Sequence, residues 1–163
     1  MKKSGIDIID RLYFLLEAAG IPALINGSIH KGSYNTYPNS VESEFIVINT
    51  LQLKKHDVVS EIPANINLYV SDKDGQTDLT RFRFLTNEIE ERLKPYESLK
   101  GTLVQKLRDK SGTYTDSETN MNDEYFTIKI SMTHGPFKDD RDPFPNHSKV
   151  NLRVICWIEN IDI

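Results

Sequence analysis

The stretch that decides the fold runs from residue 43 to residue 53 and reads Ser-Glu-Phe-Ile-Val-Ile-Asn-Thr-Leu-Gln-Leu. In an extended chain, Phe45 and Val47 lie on one face of this stretch, and Ile46 and Ile48 lie on the other. A strand that is apolar on both faces is typical of the centre of a sheet that is covered on both sides. The stretch therefore predicts a central, buried strand.

Further strands are predicted on either side of it along the chain. Residues 65–70 read Asn-Ile-Asn-Leu-Tyr-Val, so three apolar side chains alternate with two asparagines and a tyrosine. Alternation likewise predicts strands over 125–132 and 150–158, and residues 24–31 can form a short strand that Gly27 interrupts. Residues 99–107 suit either a strand or a helix, and we assign them to a strand.

Two amphipathic helices complete the set of elements. Apolar residues recur at steps of three and four over residues 6–19 and again over residues 79–93. Gly20 ends the first helix, Asp78 is a suitable N-cap for the second, and Pro95 ends the second. The predicted apolar stripe of the second helix consists of Leu79, Phe82, Leu85, Ile89 and Leu93.

The predicted order of elements is α-β-β-β-α-β-β-β, which is typical of an α+β fold. Consecutive strands with short links pair antiparallel, so we expect a mostly antiparallel sheet of five to six strands with both helices packed on one face. No repeat or break in composition divides the chain, and residues 1–163 are predicted to form one domain. A polar stretch over about 135–149 is predicted to be a long loop arm.

Composition excludes several classes of function. The chain has 163 residues, with 20 Lys and Arg against 24 Asp and Glu, a formal net charge of −4. Such a chain has no overall positive field, so neither nucleic acid nor a membrane is expected as a partner. The single cysteine, Cys156, excludes an internal disulfide and any multi-thiolate metal site, and its position within a predicted strand favours a buried thiol. Charged residues interrupt the first apolar stretch, so we expect a cytoplasmic protein rather than a secreted one.

One constellation is of the kind that carries metal-dependent chemistry. The Gly27-Ser28 turn, followed by Glu42 and Glu44 at the entrance of a strand, resembles the signature of small nucleotidyltransferases. In that family, paired carboxylates hold a divalent metal on a triphosphate, and the Gly-Ser backbone approaches the phosphates. The resemblance implies that Glu42 and Glu44 are catalytic and that Gly27 and Ser28 bind the nucleotide. The sequence departs from the signature because both acids are Glu rather than Asp, and no third acidic residue lies within a following strand.

A second resemblance covers more of the chain. Residues 38–50, Pro-Asn-Ser-Val-Glu-Ser-Glu-Phe-Ile-Val-Ile-Asn-Thr, and residues 64–70, Ala-Asn-Ile-Asn-Leu-Tyr-Val, resemble small prophage-encoded proteins of the tail-terminator or tail-completion type. The order of elements is similar as well. This resemblance implies a non-enzymatic structural subunit of a phage-derived tail, with no catalytic residue, metal or cofactor. It also implies self-association into a ring, commonly of six subunits, with tail-tube or head–tail connector proteins as partners. The protein would then act in the host cytoplasm and in the assembled virion tail.

A ring-forming subunit needs exposed loops or sheet edges that contact its neighbours. Two polar loops carry aromatic side chains, which are typical anchors of protein interfaces. The candidates are Tyr34 and Tyr37 in loop 33–40, and Phe137 and Phe144 in loop 135–148. The alternative, that these aromatic side chains fold back onto their own domain, stays open from the sequence alone.

Overall fold

The computed structural model describes residues 5–34, 41–51, 54–55, 59–97, 126–139, 141 and 143–159. Within these residues the chain forms two α-helices, two short 3-10 turns and six strands. In chain order they are α1 (Gly5–Ala18), a 3-10 turn (Ile21–Ala23), β1 (Ile29–Lys31), β2 (Glu44–Thr50), β3 (Lys54–Lys55), β4 (Val59–Ser71), α2 (Leu79–Leu93), a second 3-10 turn (Lys94–Tyr96), β5 (Phe126–Phe137) and β6 (His147–Glu159).

The strands form one mixed sheet in the order β1-β2-β4-β6-β5, and β3 pairs with β4 beyond the end of β2. All pairs are antiparallel except β1 with β2, which is parallel. The α+β fold with a mostly antiparallel sheet is thus confirmed. The one parallel pair, β1 with β2, is joined by a long link rather than a short one. The dozen residues between them, 32–43, are long enough to return the chain to the start of a parallel neighbour.

Both helices pack on the same face of the sheet and form its main core with it. The buried sheet residues of this core follow the period of two expected of strands, since they occupy even-numbered positions in β2, β4 and β6. The helices contribute one stripe each. These stripes are Ile8, Leu12, Leu15 and Leu16 in α1, and Phe82, Leu85, Ile89 and Leu93 in α2.

The opposite face of the sheet is covered differently. There a small aromatic cluster, which contains Phe45, Val47, Tyr69 and Phe144, buries part of the surface, and Tyr34 packs against it. The prediction that strand β2 is covered on both sides is therefore confirmed, with helices on one face and loop aromatics on the other.

Several strands differ in length from the predicted ones. Strand β4 begins at Val59, well before the predicted residue 65, although it contains Pro63. The carbonyl of Pro63 accepts the N–H of Leu51 at 2.8 Å. In a strand the N–H and C=O of a residue point to the same side, so the missing N–H of Pro63 faces the end of β2, where little pairing is lost.

The last two strands are also longer than predicted, because β5 extends to Phe137 and β6 begins at His147. The connection between them is therefore residues 138–146, shorter than the predicted arm over 135–149. At the other end of the chain, β1 is limited to Ile29–Lys31, because a 3-10 turn and a bend occupy the residues before it. The strand predicted over 99–107 lies outside the described residues.

The cap and the end of α2 are confirmed, since Asp78 accepts the N–H of Arg81 at 3.0 Å and the helix ends before Pro95. One member of its predicted stripe is wrong. Leu79 is 59% exposed, because the first turn of α2 extends past the buried stripe, which begins at Phe82.

Cys156 is fully buried as predicted, and burial raises the pKa of its thiol. Neither of the two helices of the described chain is both long and apolar enough to cross a membrane.

The core predicts a clear difference between two leucines. Leu85 is fully buried between α2 and the sheet, whereas Leu51 is 41% exposed at the end of β2. We expect Leu85→Ala to lower the free energy of unfolding by about 2–5 kcal/mol, because it removes buried methyl groups and leaves a cavity. Leu51→Ala should lower it by less than about 0.5 kcal/mol. Urea unfolding followed by circular dichroism measures both, and equal losses would contradict this packing.

Candidate functional site

The carboxylate of Glu44 holds three parts of the chain together at the start of β2. Its side chain is buried, and Arg81 of α2 donates to it twice, from Nε to Oε2 at 2.5 Å and from Nη2 to Oε1 at 2.8 Å. The N–H of Asn26 donates to the same Oε1 at 3.0 Å. Arg81 Nη2 also donates to the carbonyl of Leu24 at 2.9 Å. The ion pair therefore joins strand β2, helix α2 and the turn before β1.

These contacts set the ionisation of Glu44. Burial of the carboxyl raises its pKa, but the hydrogen bonds from Arg81 and from the Asn26 N–H favour the charged form. The balance lowers the pKa of Glu44 below its ordinary value. Glu44 is thus a charged structural anchor with its own counter-ion.

Glu42 precedes Glu44 by two residues and contacts the same turn before β1. Its Oε2 accepts the N–H of Ser28 at 2.5 Å. The Nε2 atom of His30 is 3.4 Å from Oε1 of Glu42 but is not aligned for a hydrogen bond, and its ring stacks on Tyr34 with centroids 3.9 Å apart. Gly27 sits between the two acids: a Cβ at this position would lie 1.8 Å from the Glu44 carbonyl oxygen and 2.3 Å from Glu42 Oε2. Only glycine fits such a close approach.

The structure thus brings together all four residues of the nucleotidyltransferase hypothesis, and both carboxylates accept hydrogen bonds from within the chain. The N–H groups of Asn26 and Ser28, which would have to face a phosphate, donate instead to Glu44 and Glu42. The charge of Glu44 is balanced by Arg81 rather than left for a metal ion. In the described part of the chain, no group of three or more His, Cys, Asp or Glu side chains is placed to hold a metal. The geometry gives this hypothesis no support.

The structure describes three of the four predicted interface aromatics, and one of them is buried. Phe144 is only 6% exposed and its ring lies 4.9 Å from that of Phe45, so its proposed role as an exposed anchor is wrong: it fills the small aromatic cluster. Tyr34 is half-buried, and its hydroxyl accepts the N–H of Glu42 at 3.2 Å. Phe137 is half-buried at the end of β5. The fourth candidate, Tyr37, lies outside the described residues.

The open face of the sheet, meaning the face without helices, is organised in three rows that run across strands β2, β4, β6 and β5. Each row consists of residues that are paired across neighbouring strands. The first row contains three aromatic side chains and a lysine, the second contains two asparagines, and the third contains two asparagines and an arginine. Side chains in such cross-strand rows are neighbours about 4.5–5.5 Å apart. The rows are Phe45-Tyr69-Lys149-Phe137, Val47-Asn67-Asn151-His134 and Asn49-Asn65-Arg153-Met132.

Hydrogen bonds along these rows fix the amide side chains. Asn65 donates to Asn49 Oδ1 at 2.9 Å and accepts from Arg153 Nε at 3.2 Å. In the next row Asn151 donates to Asn67 Oδ1 at 2.8 Å, and Asn67 donates to the carbonyl of Val47 at 3.2 Å. The result is a pre-organised polar floor on an otherwise apolar sheet.

This floor is the base of a groove of about 590 Å³. One wall is the segment Gly32–Tyr34 after β1, and the other contains His134, Phe137 and the connection after β5. The basic groups in the lining are His134, Lys149 and Arg153, and no Asp or Glu is among its described residues. We call this cavity the open-face groove.

The sequence contained a signal for the groove that motif reasoning missed. Asn65, Asn67 and Tyr69 alternate along β4, and Lys149, Asn151 and Arg153 alternate along β6. Each set reads as the solvent face of a strand. Only the pairing of the two strands, residue against residue, turns them into one surface.

Comparisons with known proteins add no assignment: no family model matches the chain, and a search of curated proteins gives no match either.

The Glu44 anchor predicts a pH-dependent contribution to stability. Because the pKa of Glu44 is lowered in the folded protein, its contribution is complete above the unfolded pKa of about 4.3 and is lost as the pH falls through the folded value. At neutral pH, Glu44→Gln should lower the free energy of unfolding by about 2–3 kcal/mol, less than for a fully buried pair because Arg81 is partly exposed.

The test is urea unfolding of both proteins from pH 7 down to about pH 3, where the gap between wild type and Glu44→Gln should narrow. Glu91→Gln is the control, since that side chain is 65% exposed and its pair with Lys94 contributes little. A gap that stays constant over this range would show that ionised Glu44 is not the source of the effect.

The turn predicts a contrast between two glycines. Gly27→Ala should lower the free energy of unfolding by about 3 kcal/mol, because its Cβ would collide with a backbone carbonyl that cannot move without breaking β2. At Gly32 a Cβ meets nothing within 4 Å, and the cost of alanine is only about 1 kcal/mol, from its positive φ of +78°. Chemical unfolding of the two variants gives the comparison, and a Gly27→Ala protein as stable as wild type would disprove the close approach.

Proposed function

We propose that this protein is a non-enzymatic structural subunit of a phage-derived tail, which self-associates and binds tail-tube or head–tail connector proteins. The tail context comes from the resemblance of residues 38–50 and 64–70 to tail-terminator proteins. Glu42 and Glu44 already accept hydrogen bonds from backbone N–H groups and from Arg81, which favours a structural role for them over a catalytic one. Such a subunit would act in the host cytoplasm and then in the assembled tail.

One observation carries the proposal of self-association. Four large apolar side chains are exposed in the described part of the chain, and two of them, Leu79 and Phe84, lie within the first two turns of α2 at 59% and 48% exposure. Both line one surface depression of about 760 Å³. We call Leu79 and Phe84 the α2 patch. Apolar side chains that share a surface depression are typical of contact sites, whereas isolated ones are common on any surface.

The surroundings of the α2 patch suit a protein interface. The guanidinium of Arg81 lies 5.5 Å from the ring centroid of Phe84, within cation–π range, and is itself fixed by Glu44. Lys73 and Asp74 lie at the rim of the same depression. An apolar centre with an ordered arginine and a polar rim has the composition of an interface. The α2 patch is therefore the contact surface that we propose.

The proposal predicts that two substitutions convert an oligomer into a monomer. Burial of each large apolar side chain in an interface is worth about 1.5–3 kcal/mol, so Leu79→Asp with Phe84→Glu should weaken association at least about a hundredfold. Aspartate is favourable in the first turn of a helix and glutamate is a good helix former, so α2 should stay folded. Sedimentation velocity over a range of protein concentrations measures the mass.

The control is Leu51→Asp, because Leu51 is another exposed leucine and lies directly after β2, outside the α2 patch. It should leave the oligomer intact, and electron micrographs of the wild type should show closed rings. A wild-type protein that stays monomeric at every concentration, both alone and with a tail-tube protein encoded beside it, would refute the proposed function.

A further inference from the structure

We propose that the open-face groove binds a small hydroxylated molecule that carries an oxyanion, such as a sugar phosphate or a sugar acid. The groove lies on the face of the sheet opposite the helices, and the inference does not depend on self-association through α2. It follows from the charge, the donor pattern and the dimensions of the groove.

The charge of the groove is opposite to that of the whole chain. The chain carries a net charge of −4, yet the described lining contains Lys149 and Arg153 and no carboxylate. Lys149 Nζ lies 3.9 Å from Oδ2 of Asp139, and Asp139 also accepts from the N–H of Arg141. A positive pocket on an acidic protein attracts anions locally, where the walls limit screening by solvent.

Arg153 is the centre of the proposed oxyanion subsite. Its Nε donates to Asn65 Oδ1, which orients the guanidinium, while its two terminal nitrogens have no partner among the described residues. Asn49 accepts from Asn65 through Oδ1, and its own amide nitrogen likewise has no partner in the described part of the chain. The amide oxygens of Asn49 and Asn65 are thus used within the sheet, whereas N–H donors remain for a ligand. A guanidinium held in place beside amide groups suits the binding of a phosphate or a carboxylate.

The next row supplies contacts for hydroxyl groups. Asn151 uses its amide nitrogen to bond Asn67, which leaves Asn151 Oδ1 without a partner among the described residues. An acceptor beside the oxyanion subsite suits a ligand hydroxyl rather than a second anionic oxygen. The ligand class is therefore a hydroxylated molecule with one anionic group.

The far end of the groove sets the size of the ligand. Lys149 Nζ lies between two rings, 5.6 Å from the centroid of Tyr69 and 5.2 Å from that of Phe137. Lys149 is four residues from Arg153 on β6, or about 13 Å along the strand. With its volume of about 590 Å³, the groove has the dimensions of a site for a small molecule rather than for an ion alone.

The experiment is isothermal titration of the full-length protein with five probes: ribose 5-phosphate, glucuronate, ribose, glucose and inorganic phosphate. We expect at least one of the two charged sugars to bind, the neutral sugars not to bind, and inorganic phosphate to bind more weakly than ribose 5-phosphate. The charged sugar that binds more tightly identifies phosphate or carboxylate as the preferred oxyanion.

Two variants test the residues of the subsite. Arg153→Gln removes the charge, and Asn49→Asp adds a carboxylate while it keeps the oxygen that accepts from Asn65. Each should weaken binding of the charged sugar about tenfold or more, which is the usual effect of losing a charge-assisted hydrogen bond. Arg83→Gln is the matched control, because Arg83 is exposed on α2 on the other face of the sheet. A thermal unfolding curve for each variant confirms that it is folded.

The outcomes separate this inference from the proposed function. The double variant Leu79→Asp, Phe84→Glu should bind the charged sugar as wild type does, so a monomeric protein can still confirm the groove. No binding of either charged sugar in the millimolar range would overturn the inference. Equal binding of neutral sugars, or binding unchanged by Arg153→Gln and Asn49→Asp, would overturn it as well. Inorganic phosphate binding as tightly as ribose 5-phosphate would refute the sugar as the ligand class.

Discussion

The bidentate pair between Glu44 and Arg81 joins elements that are far apart in the chain. Through it the first residue of β2 is fixed to the first turn of α2, and the same two side chains hold the turn at Leu24 and Asn26 by its backbone. Helix α2 then lies on the same face of the sheet as α1, which leaves the opposite face open. A buried, charged carboxylate without this partner would destabilise the fold, because its desolvation would be uncompensated. The pair therefore favours the one position of α2 in which Arg81 reaches Glu44.

That constraint gives the two faces of the sheet different chemistry. The helical face is a continuous apolar core, and its side chains need only match in volume and pattern. The open face carries an aromatic cluster at one end and amides with a guanidinium at the other, and each amide is oriented by a neighbour on the adjacent strand. A polar network of this kind stabilises a protein only where all its donors and acceptors have partners, either within the chain or on a bound ligand.

Most of the framework followed from local patterns. Strand β2, both helices and the buried Cys156 were predictable because burial follows a period of two or 3.6. The parallel pairing of β1, the extension of β4 through Pro63 and the exposure of Leu79 were not, since each depends on a neighbour that is distant in the chain. For the same reason, the inward position of Phe144 could not be read from its polar loop: its partners Phe45 and Tyr69 lie on two other strands.

The same distinction separates the residues of the sequence motif from the residues that line the groove. Glu42 and Glu44 stand close in sequence to a Gly-Ser turn, which is the pattern of a phosphate site, but two backbone N–H groups and one arginine already satisfy them. Arg153, Asn49 and Asn151 have no motif around them, yet they keep donors and an acceptor with no partner in the described part of the chain. Hydrogen-bonding capacity that folding leaves unused is what a ligand can recognise, and it depends on pairing across strands rather than on spacing along the chain.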